Sequence, residues 1–290
     1  MKRIGIITSK EQAELLEYDR DIINMLSEKD FEAEPIVWDE PLKPWESFDM
    51  LLMRTAWGYH LKHEEFRKLL KYFAENKLNV WNPASVMLEN MHKFYLKSLI
   101  ETGFNVIPTL FLEPNDFNNI DDIVKNTGWE RYVLKPAISA NAQNTYVLSD
   151  SNQIRNNNSI TESFKGKQFL LQKYINEIEN EGEWSNIFFS NGYCYSILKV
   201  PQKGDYRVQY NYGGKYYQLQ APEIVFESAK KIAEFYLDKC LYVRVDGVES
   251  EGKFYVMEVE MIEPDLYMNI VPEAKEPFVD AIIQKLNGIP

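Results

Sequence analysis

Cysteine is scarce in this chain. Its two residues among 290, Cys194 and Cys240, form neither a metal-ligand nor a redox spacing, so a reducing compartment is expected. An excess of positive charge is missing too. Against 32 Lys and Arg stand 44 Asp and Glu, a formal net charge of −12. This argues against a nucleic-acid or anionic-membrane partner, since both demand a basic footprint. A phosphate-bearing substrate would then need a local positive site or a metal. No apolar run approaches membrane-spanning length, and the opening MKRIGIITSK turns polar after Ile7 and does not read as a signal peptide. A cytoplasmic protein is expected. Repeats and disordered linkers are absent, as is a glycine-rich dinucleotide signature.

What is present suits a folded enzyme-sized chain. Hydrophobic residues make up 45% and aromatics 14%, ample for a core, and 290 residues suit two domains or one large mixed one. Residues 3–8, 31–38, 50–54 and 80–81 read as strands, with helices over 11–29 and 64–75 between them. Such alternation implies a small parallel sheet with helices on its faces, over residues 1–85. Ligands sit at the carboxyl ends of such strands. Arg54 falls there, followed by Trp57 and Tyr59, which makes Arg54 a candidate anchor for an anionic substrate group. The alternative is an ion pair of Arg54 with Glu64 or Glu65.

A second unit, residues 86–290, opens with a helix over 88–101 that carries Lys93. Strands follow at 106–112, 131–136, 146–148 and 169–175, then a hairpin of 187–189 with 193–200 across Asn191-Gly192. Residues 206–210 and 216–219 are expected to pair across Gly213-Gly214. Helices are expected over 222–239 and 273–286.

The stretch 242–266 reads as a hairpin whose second strand is half buried. Residues two apart share a face, so Arg244 and Asp246 project with Glu258 and Glu260. Three carboxylates held together repel unless a cation lies between them, and hard oxygen ligands completed by phosphates are the usual Mg²⁺ arrangement. The competing reading is a solvated surface hairpin. Lys135 ends an apolar strand beside the loop Ser139-Ala-Asn-Ala-Gln-Asn-Thr145, whose small residues permit close backbone approach to phosphates. Lys199 and Arg207 flank a tight turn; the fork of Arg207 suits a phosphoryl or carboxylate pair, or else it pairs with Asp205.

Together these features resemble the ATP-grasp superfamily of carboxylate–amine ligases. Lys199-x-Pro201-x-x-Gly204-Asp205-x-Arg207-x-Gln209, then Gly213-Gly214, Asp246 and Glu258-x-Glu260, is similar to glutathione synthetase of the bacterial type. Arg54/Trp57, Asn82-Pro83, Lys93-Phe-Tyr95-Leu96, Lys135-Pro136, Ser139 and Gly182-Glu183-Trp-Ser185 resemble small ATP-grasp ligases typified by the ring-closing enzyme of cycloserine biosynthesis. The resemblance implies an α/β chain: an ATP-grasp fold preceded by a small Rossmann-like domain, with a lid subdomain over about 106–175 and a central one over about 176–290.

It also implies roles. Lys93 and Lys135 would hold the α- and β-phosphates beneath a lid loop starting at Ser139. Gln172, Lys173, Tyr174 and Ile175 would meet adenine, and Glu183 the ribose. Asp246, Glu258 and Glu260 would bind two Mg²⁺ ions, with Mn²⁺ able to substitute. Arg207 and Arg244 would face the γ-phosphate and acyl phosphate, with Lys199 a further catalytic cation. The implied reaction joins a small amino-acid-like or peptide carboxylate to an amine, with ADP and phosphate released. Competing readings are a catalytically silent nucleotide sensor and a phosphotransferase. No general base is evident, since His60, His63 and His92 lie outside the matched core. Self-association stays open. Three positions depart from the family: Asn141 in a lid that usually bears glycine, Gly58 after Trp57 where aspartate is common, and Glu260 at the usual asparagine.

Overall fold

Four short apolar runs near the N-terminus build a parallel sheet in the computed structural model, which describes residues 1–41 and 43–288. These are β1 (Lys2–Thr8), β2 (Phe31–Val37), β3 (Met50–Thr55) and β4 (Val80–Trp81), in the order β2-β1-β3-β4. β3 is buried along its whole length, as a central parallel strand covered on both faces must be. Helices Glu17–Glu28 and His63–Glu75 supply that cover. The first helix begins later than residue 11, after a short turn at Lys10–Gln12.

A second sheet, antiparallel throughout, contains β5 (Thr109–Leu112), β6 (Tyr132–Pro136), β7 (Tyr146–Leu148) and β8 (Phe169–Lys173) in the order β5-β8-β6-β7. A third holds β9 (Glu183–Phe189), β10 (Cys194–Val200), β11 (Lys215–Gln218), β12 (Tyr242–Ser250) and β13 (Lys253–Glu260), ordered β11-β10-β9-β12-β13. A side chain at Gly247 would collide with the Tyr255 carbonyl and the Phe254 ring, so glycine lets β12 and β13 close around a bulge.

Two expected elements differ. The helix over 88–101 is broken into Ala84–Asn90 and Leu96–Glu101. His92 is extended and its ring accepts the Phe94 N–H at 3.4 Å, while the Lys93 N–H donates to the Ala137 carbonyl at 2.8 Å. Residues 206–210 form no strand. The backbone N–H groups of Tyr206 and Arg207 donate to Asp205 Oδ1 at 2.8 and 2.9 Å, a local alternative to a sheet ladder.

The first and third sheets share a core. Ile4, Ile6 and Leu52 pack in one cluster with Ile187, Phe189 and Phe278, the last from helix Lys275–Leu286. Polar staples fix the join. The Tyr242 hydroxyl meets the carbonyls of Met53 (2.5 Å) and Ile262 (2.9 Å), and the buried Asn82 side chain bonds the backbones of Leu241, Tyr242 and Met261. Among the described residues no helix is long and apolar enough to cross a membrane.

Candidate active site

The register of β12 and β13 sets the floor of a cleft. Arg244 lies opposite Glu260, and Asp246 opposite Glu258. On the neighbouring pair, Lys199 of β10 lies opposite Glu183 of β9. Gly182 turns the chain into β9 with φ +85°, and a side chain there would strike the Lys199 backbone. Opposite charges then alternate across the floor. Lys199 pairs with Glu183 and approaches Asp246 at 3.4 Å; Arg244 holds Asp246 at 2.9 Å and also pairs with Glu260. Ser185 adds a 2.7 Å bond to Asp246.

These contacts decide the protonation states. Burial alone would lower Lys199, but Asp246 and Glu183 reverse that and hold its ammonium well above the ordinary range. Burial would raise Asp246, yet Arg244 and Lys199 keep it below the usual carboxylate value. Burial likewise works against Glu258, which Lys93 and Lys135 hold low. Glu183 is pushed up by burial despite Lys199. Glu260 rises to about 7, because burial and the neighbouring Glu258 and Asp246 outweigh Arg244.

The opposite wall comes from the second sheet. Lys135, 8% exposed, leaves the end of β6 toward the hairpin, and Lys93 pairs with Glu258 from the break in the helix. The Lys93-to-Ala137 backbone bond couples the two lysine-bearing segments. No ion pair or hydrogen bond engages Lys135 among the described residues; burial, then Lys93, lowers its ammonium to about 8. Past it, the Ser139 hydroxyl donates to the Pro136 carbonyl at 3.2 Å. Asn141, Ala142 and Asn144 all adopt left-handed backbone, which Asn tolerates better than most residues. The loop is tied down at three points, one of them the Ser163 hydroxyl, which donates to Asn144 Oδ1 at 3.2 Å. Gln143 Oε1 lies 2.6 Å from His60 Nε2, and the Tyr206 hydroxyl donates to the Thr145 carbonyl at 3.1 Å.

At the inner end the cleft is apolar. Ile107, Ile175, Ile178 and Val208 cluster there with Met257, a slot of the kind a flat base can enter. Gln172 is fixed through Thr109 (2.8 Å), Lys173 N–H donates to Pro108, and Tyr174 N–H donates to Arg131. The cleft holds about 520 Å³ and is lined by every sequence-predicted site residue except Arg54. A groove of about 690 Å³ at Cys194, Gln220 and Phe226 contains none of them.

Arg54 requires a correction. It is 1% exposed and turned away from the cleft, paired with Asp19 at 2.8 Å and enclosed by the rings of Tyr18, Tyr242 and Phe278. It therefore anchors no ligand directly, and its partner is neither Glu64 nor Glu65. Trp57 and Tyr59 do face the cleft. Arg207 lines the mouth while bonded to Asp205 (2.8 Å) and stacked 3.8 Å above Tyr212, so the expected ion pair is present at a position open to the cleft. Sequence reasoning missed Glu263, Asp265 and Tyr267, which complete the rim near Tyr59. Their signal was the continuation Ile262-Glu-Pro-Asp265, where acidic residues follow directly on the metal-type pattern of β13.

Asp246, Glu258 and Glu260 are hard oxygen donors on one sheet face, which suits Mg²⁺ in kind. Among the described residues, however, no group of three or more His, Cys, Asp or Glu side chains gathers closely enough to hold a metal. Each carboxylate is turned to a cation instead. The expected carboxylates thus share a face and not a point. Burial, with Glu258 and Asp246 beside it, raises Glu260 alone of the three.

Comparison with known proteins follows the same lines. Residues 4–82 match the family described as D-cycloserine synthetase DcsG, N-terminal domain. The cycloserine biosynthesis protein DcsG of Streptomyces lavendulae is 22% identical over 266 residues, spanning 88% of this chain and 89% of that protein. The crystal structure of D-cycloserine synthetase DcsG superposes with a TM-score of 0.85 at 19% identity, over 98% of this chain and 99% of that one. D-alanine–D-alanine ligase from Bacillus anthracis, complexed with ATP, gives 0.74 at 18% identity, over 100% and 98%. The chain has the ATP-grasp fold over nearly its whole length.

Proposed function

We propose that this protein is an ATP-dependent ligase that joins a carboxylate to an amine on an amino-acid-like or short peptide substrate. The observation that carries the reading is a single cleft in which two buried lysines, Lys93 and Lys135, face the hairpin carboxylates beside an apolar slot. A nucleotide fits this order of groups. The base enters between Ile107, Ile175 and Met257, Glu183 meets the ribose, and Lys93 and Lys135 meet the phosphates. The substrate carboxylate attacks the γ-phosphorus, the bond to ADP breaks, and the amine then displaces phosphate from the acyl phosphate.

Arg244 and Lys199 neutralise charge that accumulates on the transferring phosphoryl group, and they do so from fixed positions in a buried site. Asp246, Glu258 and Glu260 share a face without converging, so they would hold Mg²⁺ only with nucleotide phosphate oxygens completing its ligands; the ion would supply charge screening for the phosphates. Trp57, Tyr59 and Arg207 border the region left for the acid and the amine. The names of the similar proteins, a cycloserine biosynthesis enzyme and a dipeptide ligase, support a small amino-acid-like substrate.

The test is a mass-spectrometric screen of amino acids and short peptides with Mg·ATP, coupled to phosphate release. A new C–N bond formed with one phosphate released per turnover supports the ligase. A stable phosphorylated product without phosphate release would make the protein a phosphotransferase. Tight nucleotide binding with no turnover on any acid–amine pair would make it a sensor.

A further inference from the structure

We propose that Asn90 and Tyr95 are positioning residues that set the metal-binding carboxylates Glu258 and Glu260 by clamping the open edge of β13. The proposal rests on the ligase reading above. β13 is the outer strand of its sheet; on its open side Val256 pairs with the backbone of Asn105 and Ile107, and beyond that bridge the row of N–H and C=O groups has no neighbouring strand. At Val259 and Met261 those groups are taken by side chains.

The Tyr95 hydroxyl accepts the Val259 N–H at 2.7 Å and donates to the Val259 carbonyl at 3.0 Å, using both capacities of one oxygen. Asn90 Nδ2 donates to the same carbonyl at 2.8 Å, and its Oδ1 accepts the Met261 N–H at 3.0 Å. Both side chains are buried. Side chains alternate along a strand, so backbone held at 259 and 261 fixes the direction and height of 258 and 260 on the cleft face.

The placement is more specific than edge cover requires. Asn90 and Tyr95 bracket Lys93, the cation that pairs with Glu258. One broken helix thus sets the carboxylate and its counter-charge together. A shift of β13 along its edge would move Glu258 relative to Lys93 and relative to Asp246 opposite it. Apolar residues at 90 and 95 would leave these backbone groups without their partners and would exert no control of register.

The test is calorimetric titration of the full chain with ADP, once with excess Mg²⁺ and once with EDTA. For Tyr95→Phe the enhancement of ADP affinity by Mg²⁺ should fall about 10-fold, the lower end of what losing an outer support costs a metal site. Affinity in EDTA should stay at the wild-type value. Asn90→Ala should move the same way and decides the matter should the first variant not fold. Equal weakening with and without Mg²⁺, or an unchanged Mg²⁺ enhancement, would overturn the clamp. A wild-type protein whose ADP affinity ignores Mg²⁺ would instead overturn the ligase reading, and the clamp with it.

Discussion

Replacing Lys135 by methionine should stabilise the free protein while removing its grip on phosphates. Lys135 is buried without an ion pair among the described residues, and burial followed by the nearby Lys93 ammonium lowers it to about 8 from 10.5. The sign follows from proton counting. The unfolded chain binds this proton more tightly than the folded one, so the group disfavours folding below about pH 8. That penalty fades as pH rises from there toward 10.5. A shift of this size corresponds to about 3 kcal/mol at pH 7. Lys135→Met removes the penalty and retains most of the side-chain volume, so the melting temperature should rise by a few degrees. ADP affinity should fall by about 2–5 kcal/mol, because a desolvated charge partner is lost, while adenosine affinity stays unchanged. In the wild type, ADP affinity should weaken as pH rises through about 8 and the ammonium is neutralised. Thermal melting and calorimetry with both ligands check these points. A lower melting temperature together with equal loss of ADP and adenosine would refute the reasoning and make Lys135 a structural residue.

Three further outcomes are expected. Glu258→Gln should reduce Mg²⁺-dependent ATP turnover by more than the roughly 10–100-fold that follows loss of an outer support, with a folded far-ultraviolet dichroism spectrum; near-normal turnover at limiting Mg²⁺ would remove it from the metal set. Arg54→Met should lower stability by about 3–5 kcal/mol, since Asp19 is left buried without its cation, while calorimetric ADP affinity stays normal. His60→Ala frees Gln143, one of three ties on the 139–145 loop, so ADP dissociation measured by stopped flow should quicken; an unchanged rate would show that the Tyr206 and Ser163 ties hold the loop without it.

Much of the cleft was legible because strand alternation is a short-range rule. The spacing of Glu258 and Glu260, and of Arg244 and Asp246, placed all four on one face before their pairing was known. What alternation cannot convey is register between strands far apart in sequence. The facing of Lys199 and Glu183 depends on where β9 meets β10, and the Lys93–Glu258 pair spans 165 residues. The 206–210 segment misled for a local reason. Its alternating tyrosines and valine suit a strand, but Asp205 captures the first two backbone donors and bends the chain into the cleft wall.

Arg54 shows how a sound positional rule can select the wrong residue. It does stand at the carboxyl end of β3, where open parallel sheets present ligands. The missing information lay in the preceding helix. Asp19 recurs with Ile22 and Leu26 on the buried face of Glu17–Glu28, at a spacing that an exposed aspartate would not share. A carboxylate on an apolar helix face must find a cation or lose its charge. Burial pushes Asp19 upward even with Arg54 beside it, and Arg54 is the cation that pairs with it at 2.8 Å. The same helix carries Tyr18, whose hydroxyl donates to Asp265 on the cleft rim at 2.9 Å, and Arg54 itself reaches the Pro264 carbonyl at 3.4 Å. The arginine thus bears on the rim at one remove. It ties helix, sheet and the segment after β13 together, and at that corner Trp57 and Tyr59 line the cleft where Arg54 does not.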